Sequence, residues 1–403
     1  MIRLRARWLF PGDSPPLPHA VVEVEQGRIV FISADQSSTC QNADEIDLGQ
    51  AALIPGLINA HTHLEFSDLA APVEPRDRFA DWIQAIIQSR REGHRDTLAA
   101  IQQGLAESRE CGVAGLAEIA TSDWILRTPV EDRSLRVFTF REILGLHPGR
   151  VDSQLDVAKT FLAQAAACGQ TDVGLSPHAP YSLHPRLFRG LIELAITHDV
   201  PVAMHLAESP AEMELLHRGT GPLVDLFTRM GIWPPEGHSG NLRPLDFLKE
   251  LARAPRGLVV HGNFLNEEEM RFVASSPQLS VVYCPRTHQA MQSTPHPWQR
   301  LLELGVNVTL GTDSRASNPD LNLWDELRWL QTQAPEPAAS SLLKLATANA
   351  AQALGWDDLG RLAPGFSAQF GVVPLTEISV QTPEKLLFEP SIPQRLSLEL
   401  LLR

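Results

Sequence analysis

Residues 53–61 read LIPGLINAH and run directly into Thr62 and His63. A short apolar, β-rich run ending on histidine is the first of eight such runs. The others are VAGLAEIA (113–120), LRVFTFREI (135–143), DVGLSP (172–177), VPVAMHL (200–206), GLVVHG (257–262), LSVVYCP (279–285) and VNVTLGT (306–312). Between them lie stretches such as DTLAAIQQGLAESREC, QLDVAKTFLAQAAAC, PRLFRGLIELAITHD and NEEEMRFVASS, whose apolar residues recur at the three- and four-residue spacing of a helix. Strands alternating with helices build a parallel sheet, and eight βα units close it into an α/β fold of the (β/α)8 TIM-barrel type.

A barrel of this kind takes about 250 residues, so a chain of 403 leaves room for a smaller unit beside it. Residues 1–52 and 358–403 flank the barrel region 53–357, and both carry strand-like runs, AVVEVEQGRIVFIS and SAQFGVVPL. The two pieces are expected to pair into one small β domain. Ile232 to Pro244, rich in Pro and Gly, is expected to form an irregular loop before the sixth strand.

Composition narrows the partners. The net charge of −14, with basic residues only in short pairs such as Arg90 and Arg91, excludes a nucleic-acid backbone. No segment approaches the roughly 18 apolar residues of a membrane span, and the opening MIRLRARWLFPGD has too short an apolar run for a signal peptide. A cytoplasmic protein acting on a small molecule is expected, with a homodimer left open. Cys40, Cys111, Cys168 and Cys284 are scattered without a CxxC pair, which suggests neither a disulfide framework nor a thiolate metal site.

Barrel enzymes keep their chemistry at the C-terminal ends of the strands. His61 and His63 end the first strand, His178 follows the fourth, His205 closes the fifth and His261 the sixth. His288 follows the seventh and Asp313 closes the eighth. A lone histidine at a strand end is more often a satisfied structural group than a ligand, but six strands contributing to one rim argue for a site. The i, i+2 spacing of His61 and His63 points both imidazoles to one face. With His205 and Asp313 they complete a nitrogen and oxygen shell suited to zinc, or alternatively ferrous iron, with a position open for water. Such an ion lowers the pKa of water toward about 7 and generates hydroxide near neutrality. Glu208, three residues beyond His205, is placed to carry protons; the bland alternative is a carboxylate favoured by a helix N-terminus.

The motifs PGLINAHTH (55–63), HLAES (205–209), VVHG (259–262) and GTDS (311–314), in that order, resemble the amidohydrolase superfamily in its deaminase and chlorohydrolase branch. The likeness spans nearly the whole chain. It implies a β-sandwich made by both termini, one metal held by His61, His63, His205 and Asp313, and attack of metal-bound hydroxide on the substrate. It also implies that His261 holds the attacking water, that His261 and Asp313 take its proton, and that Glu208 protonates a ring nitrogen. Binuclear relatives bridge their metals with a strand-end lysine. Here Lys159, Lys249, Lys344 and Lys385 all lie elsewhere, so one ion per chain is expected.

NAHTHLEFSDL, FADWIQAII, FREILGL, YCPRTHQAM and TDSRASNPDLNLWDEL are similar to the bacterial group that includes aminodeoxyfutalosine deaminases, beside methylthioadenosine and S-adenosylhomocysteine deaminases. That resemblance implies hydrolytic deamination of a 6-aminopurine nucleoside, with Trp82 and His178 near the substrate. Arg136 or Arg141 would face the nucleoside, with a salt-bridged structural arginine as the bland reading. Many of these deaminases carry CP-x-SN after the seventh strand. This chain has Cys284-Pro285-Arg286-Thr287-His288, which makes His288 a candidate for binding an acidic substrate group. Deamination of guanine or cytosine, chlorotriazine dechlorination and a non-catalytic barrel remain the alternatives.

Overall fold

The structure, a computed structural model, describes residues 1–34, 43–92, 96–128, 135–233, 240–292, 294–334, 338–375, 384, 387–388 and 394–395. Residues 234–239 of the expected loop before the sixth strand, much of the C-terminal piece, Cys40 and Lys385 lie outside these residues.

Fifteen strands form among the described residues. β1 (Ile2–Leu9), β2 (Leu17–Glu25), β3 (Arg28–Ser33), β4 (Asp44–Asp47) and β5 (Ala51–Pro55) precede the barrel. The barrel strands are β6 (Leu57–Thr62), β7 (Val113–Ala120), β8 (Arg136–Ile143), β9 (Val173–Pro177), β10 (Val202–Leu206), β11 (Gly257–His261), β12 (Leu279–Tyr283) and β13 (Asn307–Leu310). They hydrogen-bond in sequence order as one parallel sheet of eight. The sheet closes where Thr62 bridges Asp313. These strands are almost wholly buried, as parallel strands covered on both faces must be, and that is why they read as continuous apolar runs.

β14 (Phe370–Pro374) and β15 (Gln394–Arg395) return to the first five strands. β14 pairs antiparallel with β5, and β5 pairs parallel with β1, so both ends of the chain share one mixed sheet of seven strands. Its core is separate from the barrel's and contains Leu4, Leu9, Val22, Ile29, Leu53 and Phe370. The run expected as a single first strand, 53–61, is divided at Gly56. Its first part joins the terminal sheet and its second opens the barrel, so β5 runs across the expected boundary at 52 and 53. A side chain at Gly56 would stand 2.4 Å from the Ala114 Cβ, which leaves no room for another residue at this crossing.

Local signals set the helix ends. The helix Pro185–His198 begins with Pro at its first turn and stops at Asp199, whose φ of 52° is left-handed. The helix Glu267–Ala274 is capped by Asn266, whose side chain accepts from Glu269 N while Glu269 reaches back to the Asn266 N–H. One end of the barrel is plugged by Trp356, which packs among Phe138, Ile58 and Leu258 and donates its indole N–H to Asp172 just ahead of β9. Only the opposite rim, at the C-terminal strand ends, is left for a site. No helix among the described residues is long and apolar enough to cross a membrane.

Candidate active site

β6 carries Asn59 and His61 on one side, with His63 next in that row just past the strand. Asn59 ties the first barrel strand to the last. Its Oδ1 accepts from the Thr312 and His61 backbone N–H groups at 3.1 and 3.3 Å, and its Nδ2 donates to Thr312 Oγ1 at 2.7 Å. Asp313 is thereby held against the histidines. Its Oδ1 lies 3.5 Å from His61 Nε2 and 3.7 Å from His63 Nε2, and its Oδ2 accepts from Ser317 Oγ at 2.7 Å.

His205 reaches the same point from β10. Its Nδ1 faces the His178 carbonyl at 3.0 Å and so carries the proton, which leaves a lone pair on Nε2, 3.3 Å from His63 Nε2. One ligand atom from each of His61, His63 and His205 falls within 4.8 Å of the others. Both ring nitrogens of His61 and Nδ1 of His63 are buried without a hydrogen-bond partner. A tetrahedral zinc shell with bonds of about 2.05 Å has edges of about 3.3 Å. The separations within the histidine and aspartate set fit such a cation, and the orphaned buried nitrogens give it a reason to bind. Burial pushes the pKa of His63 and of His205 well below the ordinary value, which favours the neutral, ligating form. Burial by itself would raise Asp313, yet the His61 imidazole 3.5 Å from its carboxylate, and the charges of His63 and His261, hold it below the usual carboxylate range.

A second pair stands beside this cluster. His261 Nε2 is 3.4 Å from Glu208 Oε1, and both residues are buried. Burial, then the charges of Asp313 and Glu212, pushes the Glu208 pKa well up and favours its protonated acid. Glu212 fixes the backbone there, accepting from the Ala207 and Glu208 N–H groups at 2.9 and 2.8 Å. Its own pKa is raised to about 7, by burial. Ala207, His261 and Asp313 have φ of 53°, 71° and 58°. Left-handed backbone at three strand ends of one rim is conformational strain gathered where side chains must be aimed.

These groups open into a cavity of about 340 Å³ lined in part by His63, His205, Glu208, His261 and Asp313, a size suited to a small ligand. Trp82 and His178, expected near substrate, line it as well. His178 Nδ1 meets Ser182 Oγ at 2.8 Å, and burial holds its pKa near about 3. Three residues put forward for the substrate side, Arg136, Arg141 and His288, are not among those that line the cavity. Arg141 donates to Asp123 Oδ1 at 2.6 Å and to the Glu142 and Ala120 carbonyls, so its guanidinium is engaged in the scaffold. Arg136 is likewise engaged, by Asp172 and Asp358. His288 points back to the Tyr283 hydroxyl, 3.5 Å from its Nδ1, and the neighbouring Arg286 is bound by Asp320 and Glu326.

Several site residues have no clear sequence signal. Glu142 lines the cavity with one carboxyl oxygen unpartnered, but it sits inside an apolar strand beside an arginine that suggests an ion pair. Ser317 is four residues beyond Asp313 and is recognisable only once the turn is known. Glu212 was open to detection, because Ser209-Pro210-Ala211-Glu212 has the spacing of a capping box. Lys159 lies on the helix Val151–Ala167, paired with Asp156 and away from the rim.

A family model described as the Amidohydrolase family matches residues 52–388. The aminodeoxyfutalosine deaminase of Deinococcus radiodurans is 29% identical over 71% of this chain and 69% of its own length. The 5-methylthioadenosine/S-adenosylhomocysteine deaminase of Pyrococcus furiosus is 28% identical over 90% of this chain and 84% of its own. Among solved structures, Helicobacter pylori aminofutalosine deaminase in complex with methylthio-coformycin superposes with a TM-score of 0.87. It covers 98% of this chain and 100% of that one at 21% identity.

Proposed function

Because the chain belongs to the amidohydrolase family and is a deaminating hydrolase of C–N bonds, we propose that it deaminates a 6-aminopurine nucleoside. The leading substrate is 6-amino-6-deoxyfutalosine, with 5′-methylthioadenosine and S-adenosylhomocysteine next. The observation that carries this reading is the Glu208 and His261 pair, 3.4 Å apart, set beside the histidine and aspartate cluster in one cavity.

His61, His63, His205 and Asp313 would hold the ion, zinc first and ferrous iron as the alternative, one per chain. When bound, it supplies Lewis-acid polarisation and lowers the pKa of water toward about 7. His261 and Asp313 orient the attacking water and take its proton. Glu208, kept protonated by burial, gives its proton to the ring nitrogen beside C6; the proton that His261 and Asp313 took from water passes to the departing amine, and the hydroxyl proton left on the C6 oxygen returns to Glu208 as the carbonyl forms. The water oxygen becomes the C6 carbonyl, the C6–N bond breaks and ammonia leaves. Phe66, Trp82, Tyr181 and Phe227 contribute apolar and aromatic wall for a flat ring and help exclude water.

The lining also includes Arg90, His147 and Arg150. Arg90 is engaged by Glu65, whereas Arg150 is exposed at the start of the helix Val151–Ala167. An exposed guanidinium at the cavity wall suits a substrate with an anionic tail, the role first expected of His288. A charge-assisted contact is worth about 1.5 kcal/mol or more, roughly tenfold in affinity. Arg150→Ala is therefore expected to raise KM about tenfold for a carboxylate-bearing nucleoside while leaving methylthioadenosine nearly unchanged. Steady-state kinetics on the two substrates checks this, and an equal loss on both contradicts the anionic-tail assignment.

A further inference from the structure

His261 ends β11 in a left-handed conformation, φ 71°, in register with Leu206 on β10, while the register with β12 ends one residue earlier at Val260. The donor to the His261 carbonyl is a side chain remote in sequence, His296, whose Nε2 lies 2.8 Å from His261 O. A carbonyl only accepts, so His296 carries its proton on Nε2. Nδ1 of the same ring is buried without a partner. The ring is fixed from its face, stacked on Tyr283 with centroids 3.8 Å apart and planes 15° from parallel. Tyr283 is in turn met by His288. Tyr283 is the last residue of β12, so the neighbouring strand supplies the platform that orients His296.

We propose that His296 is a positioning residue for catalysis, holding the left-handed backbone of His261 so that its imidazole faces Glu208 and the cation cluster. A non-glycine residue in this conformation persists only where its surroundings over-determine it, and this hydrogen bond is a restraint aimed at that residue. Loss of the donor would leave a buried carbonyl unpaired and let the strand end relax toward ordinary φ. His296 is not among the residues that line the cavity or form the histidine cluster, and it acts through His261. His288, Tyr283 and His296 then form a support behind the catalytic histidine, which gives His288 a place other than the substrate pocket.

The test compares His296→Phe, which keeps the stacked ring and loses the donor, with His296→Gln, which restores an amide N–H. Should the Phe protein not fold, His296→Leu serves as the donorless variant. Loss of a supporting hydrogen bond at such a site typically costs about 10- to 100-fold. That loss is expected in kcat for the donorless variant, with KM and zinc content held, the melting temperature lowered by the unpaired carbonyl, and most of the activity regained in His296→Gln. This kinetic arm rests on the proposed deaminase reading. The second arm does not: in ¹⁵N-histidine NMR of the zinc protein, the His261 ring signals, assigned by their loss in His261→Asn, move in the donorless variant and return in His296→Gln. Unmoved His261 signals overturn the proposal whatever the activity, as does a loss of kcat shared equally by the Phe and Gln variants.

Discussion

Glu208→Gln lowers kcat for a 6-aminopurine nucleoside by on the order of 10³-fold, within the usual contribution of a positioned general acid and base, and leaves KM and zinc content nearly unchanged. The substitution keeps size and hydrogen-bonding capacity but removes the exchangeable carboxyl proton. Glu208 is buried, 3.4 Å from His261 Nε2, and kept toward its acid form by burial and by the charges of Asp313 and Glu212. It stands outside the cluster that fits a cation, so the loss falls on proton transfer. Stopped-assay rates across substrate concentration, with metal analysis of the same preparations, separate the two. A Gln variant with near-native kcat removes Glu208 from the chemistry, and one that has lost its zinc makes it a ligand.

Chelation abolishes turnover altogether, and one equivalent of zinc per chain restores it. The cluster is costly without an ion, because His61 and His63 keep ring nitrogens buried and unpaired. Binding to the folded state alone also stabilises it, by about 2.7 kcal/mol at a free concentration one hundred times Kd. The melting temperature is therefore expected to rise with zinc until the site is full. Elemental analysis, activity and melting measured along one titration check this. Full activity in demonstrably metal-free protein contradicts it, and saturation at two ions contradicts the single-ion shell.

Most of the barrel was legible because its strands are buried on both faces and so write their lengths directly into apolar runs; β7 occupies the same residues, 113–120, that the sequence marks. The candidate ligands were legible for a related reason. A histidine or aspartate where such a run ends has few places to point except the rim. The break at Gly56 was not, since a continuous apolar run does not reveal that its halves belong to different sheets. For Arg141 and His288 the positions near strand ends were visible, while their partners, Asp123 and Tyr283, depend on the folded geometry. His296 was invisible for the same reason: nothing in Pro295-His296-Pro297 announces a hydrogen bond to a residue 35 positions earlier.

The central claim, metal-dependent deamination of an adenine nucleoside, is tested most directly by ammonia release from zinc-loaded and iron-loaded protein. The panel comprises aminodeoxyfutalosine, methylthioadenosine, S-adenosylhomocysteine, adenosine, guanine, cytosine and a chlorotriazine. The account predicts stoichiometric ammonia from the adenine nucleosides, fastest with aminodeoxyfutalosine. Chloride released from the triazine, or ammonia only from a free base, with the nucleosides untouched, would contradict it.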